Sequence, residues 1–159
     1  MPDIVVLCGH PRPDSWTLRL AVEVGERFAR PGPDGAVLVD VSRLGPGLLV
    51  AGDGPTGDAL TTIQEAGLLI VATPAHKGSY AGALKALLDL LPANALAGVV
   101  AIPVVTAEDQ PQADLAEALL ARLLRELGAD VVDFGLTATR AELEDLPAVA
   151  DQYAAAYRP

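Results

Sequence analysis

The sequence predicts an α/β domain, a parallel sheet with helices on both faces. Two observations carry that reading. The runs Ile4–Cys8 and Leu68–Ala72 are continuously apolar, the pattern of strands buried on both faces rather than on one. Segments with apolar residues at helical spacing alternate with such runs along the chain, and alternating βα units fold into parallel sheets with right-handed crossovers.

Each element has its own warrant. The first strand covers 3–8 and stops at Gly9. A helix follows over 15–30, marked by Leu18, Ala21, Val22, Gly25, Phe28 and Ala29, and Pro31-Gly32-Pro33 ends it. Strand two is Ala36–Val41. Residues 43–57 are rich in Gly and Pro and show no clear element, with a short helix expected over 58–65. Strand three is Gly67–Ala72. The helix after it runs from about Tyr80 through Leu91 on the apolar positions Leu84, Leu87, Leu88 and Leu91. Strand four is Gly98–Val105, although Pro103 lacks the N–H that a central strand needs. Ala116, Leu119, Leu120, Leu123, Leu124 and Leu127 mark a helix that Gly128 terminates, Ala129–Phe134 is strand five, and Leu146–Tyr157 closes the chain as a helix. Five strands in one such domain favour the flavodoxin-like order 2-1-3-4-5, a three-layer sandwich whose ligands sit beyond the strand ends where the order reverses, between strands one and three.

The bulk composition narrows the functions. At 159 residues the chain has the length of one domain and can bury a sizeable core. Hydrophobic residues make up 51 % but aromatics only 4 %, so Ala, Val and Leu must build that core. Eleven Lys and Arg against 21 Asp and Glu give a formal charge of −10, which argues against a nucleic-acid or anionic-membrane surface. A small anionic ligand stays open, because one loop can override the global field. Cys8 is the single cysteine and forms no internal disulfide. With no signal-like segment and no apolar run of membrane-spanning length, a cytoplasmic location is expected.

Unusual residues collect after strands one and three, where that topology puts a ligand. Residues 9–17, GHPRPDSWT, open the first helix. A helix N-terminus presents unpaired N–H groups and a partial positive charge. Arg12 adds a fixed charge, Ser15 and Thr17 add hydroxyls, and His10 stands within reach. The segment suits a phosphate monoester, or is a plain turn with Asp14 or Ser15 as N-cap. It is neither a Walker loop nor a GxGxxG turn. Trp16 either packs at the helix start or shields a ligand. After strand three, Pro74 fixes a turn and Gly78 lets backbone approach a flat ligand closely, with Ala75, His76 and Lys77 between them. Ser79 reads as the N-cap of the next helix, and Lys85 and Asp89 as an exposed i, i+4 pair.

These two blocks, GHPRPDSWT and TPAHKGSYAGALKALLDLLP, resemble the NADPH-dependent FMN reductase family, and the second is similar to flavin reductases of two-component alkanesulfonate monooxygenase systems. The resemblance implies that Arg12, Ser15 and Thr17, with His10 in place of the family's Ser, hold the FMN phosphate, and a flavin there is the ligand Trp16 would shield. It implies that Pro74, Ala75, His76, Lys77 and Gly78 lie along the isoalloxazine ring, with Thr106 and Ala107 against it from the loop after strand four. NADPH or NADH would be the hydride donor, with no dedicated catalytic acid or base. A partner monooxygenase and a homodimer or homotetramer are also implied, with Tyr80 matching a tetramer contact in a π-helical turn. Three positions depart from the family: His10 replaces Ser, His76 replaces Tyr, and Glu108-Asp109 replaces small residues. They keep one alternative open, a fold whose flavin site has degraded into a binding or interaction surface; a second alternative is a quinone or azo reductase with tightly held FMN.

Overall fold

The computed structural model describes residues 3–33 and 35–157. Its sheet has six strands: β1 (Ile4–Cys8), β2 (Val37–Asp40), β3 (Leu68–Pro74), β4 (Val100–Ala107), β5 (Asp130–Val131) and β6 (Leu136–Thr139). The order is β2-β1-β3-β4, and both β5 and β6 pair with β4 at the fifth position. All pairings are parallel. The flavodoxin-like order read from the sequence therefore stands, with its fifth strand in two pieces. Around the sheet run the helices α1 (Trp16–Phe28), α2 (Val41–Leu44), α3 (Gly54–Gln64), α4 (Gly82–Leu88), α5 (Gln110–Glu126) and α6 (Leu146–Ala156).

Two apolar clusters sandwich the sheet. One joins Val5, Leu7, Leu69 and Val71 to Ile63, Leu84, Leu87, Leu120 and Leu124 of α3, α4 and α5. The other joins Val6, Ile70, Ile102 and Val104 to Leu20, Ala21, Val24 and Ala150 of α1 and α6. Alternate residues of each strand thus feed opposite layers, which is why β1, β3 and β4 are apolar throughout. Each fully buried Leu or Ile contributes about 1.5–3 kcal/mol. On α1 the buried face is Thr17, Leu20, Ala21, Val24 and Gly25, rotated from the expected stripe, and Leu18 and Val22 are only half-buried.

Pro103 finds its explanation at the break in the fifth strand. In a parallel strand, successive residues bond alternately to the two neighbours. Val100 N–H donates to Gly67 O on the β3 side, while Ala101 O accepts from Val132 N–H on the other. Residue 103 therefore also turns toward the fifth position and offers it no donor. The ladder fails there. β5 pairs only with Val100 and Ala101, and β6 resumes opposite Val104. Gly135 lies in the gap, where an added Cβ would come within 2.6 Å of Pro103 O. Tyr153 Oη donates to Phe134 O at 2.7 Å and ties this loop to α6. The expected single strand Ala129–Phe134 is thus corrected to two short ones.

Two further expectations are corrected. Residues 43–57 are not featureless: α2, a 3₁₀ turn over Gly45–Leu49 and the start of α3 fill them. Asp40 caps α2 by accepting from Ser42 N–H at 3.0 Å, and Asp53 caps α3 by accepting from Thr56 N–H at 3.0 Å. The helix after β3 begins at Gly82, not Tyr80, and its N-cap is Ala81 rather than Ser79. Thr73 supplies the missing side-chain acceptor, taking Ala81 N–H at 2.9 Å from inside the core. Tyr80 sits in a bend before the helix, with no π-helical turn.

Candidate functional site

The loop after β1 is held from both ends. Gly9 N–H donates to Ala72 O at 2.8 Å, binding the loop to β3. A Cβ on Gly9 would stand 2.6 Å from Leu84 Cβ, so only glycine lets α4 pack this close. Asp14 takes a left-handed conformation, φ 54°, and turns the chain into α1. Ser15 caps that helix, its Oγ accepting from Leu18 N–H at 3.1 Å. The N–H groups of Trp16 and Thr17 have no intrahelical acceptor by geometry and lie beside a cleft.

That cleft, of about 620 Å³, is lined by His10, Arg12, Pro13, Ser15, Trp16, Thr17, Pro74, Ala75, Thr106, Ala107, Glu108, Arg140, Leu143 and Glu144. It lies over the carboxyl ends of β1, β3, β4 and β6, at the switch point the topology requires. Nine of the twelve residues singled out from the sequence share its wall. Its floor is tied together: Thr17 Oγ1 and Thr106 Oγ1 form a buried hydrogen bond of 2.7 Å, and Ala75 N–H donates to Thr106 O at 2.7 Å. Asp14 is not part of the wall.

His76, Lys77 and Gly78 are the three the cleft wall does not include. His76 and Ser79 exchange two backbone hydrogen bonds, at 2.7 and 3.1 Å. Lys77 and Gly78 between them have φ of 48° and 81°, the pair of left-handed residues that a two-residue hairpin turn demands. All three lie exposed on that tip. Glycine at 78 thus serves the turn.

His10 is half-buried, and its Nδ1 accepts from Arg12 N–H at 3.0 Å, so the neutral ring carries its proton on Nε2. Burial lowers its pKa, and the charges of Arg12 and His76 push the same way against a smaller pull from Asp40. The ring is therefore neutral at pH 7, with one N–H left to donate. Cys8 lies fully buried, and burial raises its thiol pKa, so it is a core residue. Trp16 is 54 % exposed at the cleft, with the Arg19 guanidinium 5.1 Å from its ring centroid.

The two acidic residues after β4 part company. Asp109 caps α5, its Oδ1 accepting from Gln112 N–H at 3.0 Å, and is not part of the cleft wall. Glu108 lines the cleft and pairs with Arg140, which follows the neighbouring strand β6, at 3.3 Å. Besides Pro13 of the first loop, Arg140, Leu143 and Glu144 are the wall residues that the sequence reading did not single out, because the strand that leads into them was not seen. The one available signal was Thr139 followed three residues later by Glu142, a capping-box spacing. Thr139 N–H and Oγ1 donate to Glu142 Oε1 at 3.1 and 3.0 Å, fixing the turn that carries Arg140. Among the described residues no group of three or more His, Cys, Asp or Glu is placed to hold a metal ion, and no helix is long and apolar enough to cross a membrane.

Anion donors at a helix N-terminus, beside a cleft at the switch point of this sheet, mark a flavodoxin-like protein with a candidate site for an anionic ligand. The chain belongs to the NADPH-dependent FMN reductase family, whose model matches residues 2–141. It is 59 % identical over 44 residues to FMN reductase (NADPH) of Escherichia coli (strain K12), covering 28 % of this chain and 23 % of that protein. To NADH-dependent FMN reductase SfnF of Pseudomonas fluorescens (strain Pf0-1) it is 36 % identical over 86 residues, 54 % of this chain and 46 % of that protein. The chain thus spans between about a quarter and a half of the length of these relatives. Among solved structures, the apo form of the NADH:FMN oxidoreductase EMOB superposes with TM-score 0.78 at 29 % identity, over 98 % of this chain and 89 % of that one. An oxidoreductase from Corynebacterium diphtheriae shares the fold at TM-score 0.78 and 22 % identity, over 98 % and 97 % of the two chains.

Proposed function

We propose that this protein is an NAD(P)H-dependent FMN reductase that binds FMN in the cleft described above. The observation that carries the reading is the donor set at its β1 end: Arg12, the Ser15 hydroxyl, the His10 Nε2–H and the free N–H groups of α1. Such a set matches a phosphate monoester. Pro74, Ala75, Thr106 and Ala107 offer the adjoining flat surface for a ring system, and the volume is that of a small-ligand site. Bound FMN would supply the hydride-accepting chemistry, and the protein's part is to position it and set its field. Thr17 and Thr106 hold the two loops at fixed spacing. Arg140 offsets the charge of Glu108, and Asp109 is spent on a helix cap, so the Glu108-Asp109 departure from the family pattern loses its force against flavin. Release of reduced flavin to a partner monooxygenase fits the likeness of the second sequence block to alkanesulfonate-type reductases. Assembly as a homodimer or homotetramer belongs to the same reading.

FMN titration followed by flavin fluorescence tests it. Saturable binding is expected, and Arg12→Ala should weaken it by about 1.5–3 kcal/mol, the worth of a charge-assisted hydrogen bond. Absence of saturation at high micromolar FMN would sink the reductase reading, and an unchanged affinity in the variant would refute the phosphate placement.

A further inference from the structure

We propose that Arg140 takes a phosphate of the nicotinamide dinucleotide, and that Glu108 holds its guanidinium until that ligand arrives. The inference rests on the reductase reading and extends it to the second substrate.

The cleft wall holds two fixed cations, Arg12 and Arg140. They stand at opposite ends. Arg12 follows β1 and Arg140 follows β6, three strand positions away in the order β1-β3-β4-β6. At about 4.8 Å per strand step that is roughly 14 Å, too far for one phosphate to take both. The donors around Arg12 account for the FMN phosphate. A nicotinamide dinucleotide brings further phosphate charge into a protein of formal net charge −10, so its docking needs a local cation. His10 stands beside Arg12 at the β1 end, with the FMN-phosphate donors, and does not supply one at the far end. Arg140 remains.

Position also selects this ligand over the flavin ring. The Arg140 side chain is 79 % exposed, at the rim, whereas the floor is made by Pro74, Ala75, Thr106 and Ala107. A rim cation meets the ligand that comes and goes. Its planar fork suits phosphate oxygens. The Thr139–Glu142 turn fixes the backbone that presents it. Glu108, itself 67 % exposed and 3.3 Å away, is an exposed partner of the weak kind that phosphate displaces readily.

The chemistry admits the pyrophosphate common to both dinucleotides or the 2′-phosphate found on one. Isothermal titration of NADP⁺ and NAD⁺ into FMN-saturated protein separates them without turnover. Arg140→Ala should weaken NADP⁺ at least about tenfold. A much smaller loss for NAD⁺ assigns the 2′-phosphate, and an equal loss assigns the pyrophosphate. Either supports the proposal. Glu108→Gln should strengthen NADP⁺ by up to about fivefold, and most of that gain should vanish in the Arg140→Ala background. An equal gain in both backgrounds would overturn the holding role of Glu108. If Arg140→Ala binds both dinucleotides within about twofold of the wild type, or loses FMN affinity as steeply as dinucleotide affinity, the assignment of Arg140 is wrong. These results differ from failure of the parent reading, in which the wild-type protein does not take up FMN at all and both proposals fall together.

Discussion

Protonating His10 has opposite consequences for the free protein and for its complex with an anion. Its folded pKa is lowered below the ordinary 6.5, first by burial and then by Arg12 and His76. Between the folded value and 6.5 the unfolded chain binds more protons, so stability rises with pH across that window. The contribution is fully present above 6.5 and is lost as pH falls through the folded value. A phosphate beside the ring reverses the preference, because it favours the imidazolium. FMN affinity should therefore increase from pH 7.5 to 6.5, whereas apo stability declines only as pH falls below 6.5. Titrating flavin fluorescence at the two values checks this. The phosphate's own second ionisation, near pH 6, works the other way, so an affinity that falls on acidification would place His10 away from the phosphate. In His10→Asn the increase should disappear.

At the scale of elements, the helix starts decide how the loops are aimed. Asp109→Ala removes the cap of α5 and should cost about 0.5–2 kcal/mol in urea unfolding, with FMN affinity unchanged. A marked change in affinity would mean that Asp109 faces the ligand. Thr73→Val leaves Ala81 N–H buried without its acceptor and should cost about 1–3 kcal/mol, loosening the junction between β3 and α4. Such interactions explain what the sequence could and could not reveal. Strands β1, β3 and β4 were legible because continuous apolar runs are dictated by burial on both faces. Both blocks of loop residues were legible because the topology says where to look. The start of α4 was not, since its cap comes from a core threonine eight residues upstream rather than from the local Ser79. The fifth strand was misread because its interruption depends on a proline in another strand. Arg140 was hidden with it. Helix α2 starts at an aspartate cap with little apolar periodicity, which a search for amphipathic stripes passes over. Helix α3 was expected only from residue 58, because its Asp53 cap and first turn lie in the Gly/Pro-rich stretch.

The whole molecule links the cleft to the core on both sides of one sheet. Its two apolar clusters lie back to back across the shared strands β1, β3 and β4, so neither layer keeps a packing surface if the other melts. Unfolding should then be one transition, with far-UV circular dichroism and the fluorescence of Trp16 coinciding. Leu20→Ala on the α1 side and Leu84→Ala on the α4 side should each lower the same transition by about 2–5 kcal/mol. Leu84 also packs against Gly9, so its loss loosens the loop after β1, whereas Leu20 lies on the other face. FMN at a hundred times its Kd should stabilise the wild-type transition by about 2.7 kcal/mol, a rise of roughly 5–10 °C for a domain of this size. In Leu20→Ala that ligand-induced rise should be retained, and in Leu84→Ala it should shrink at equal FMN concentration, because the phosphate loop has lost its backing. Two separated transitions in the wild-type protein would show that the layers fold independently. An equal rise in both variants would show that the loop after β1 keeps its geometry without α4 behind it.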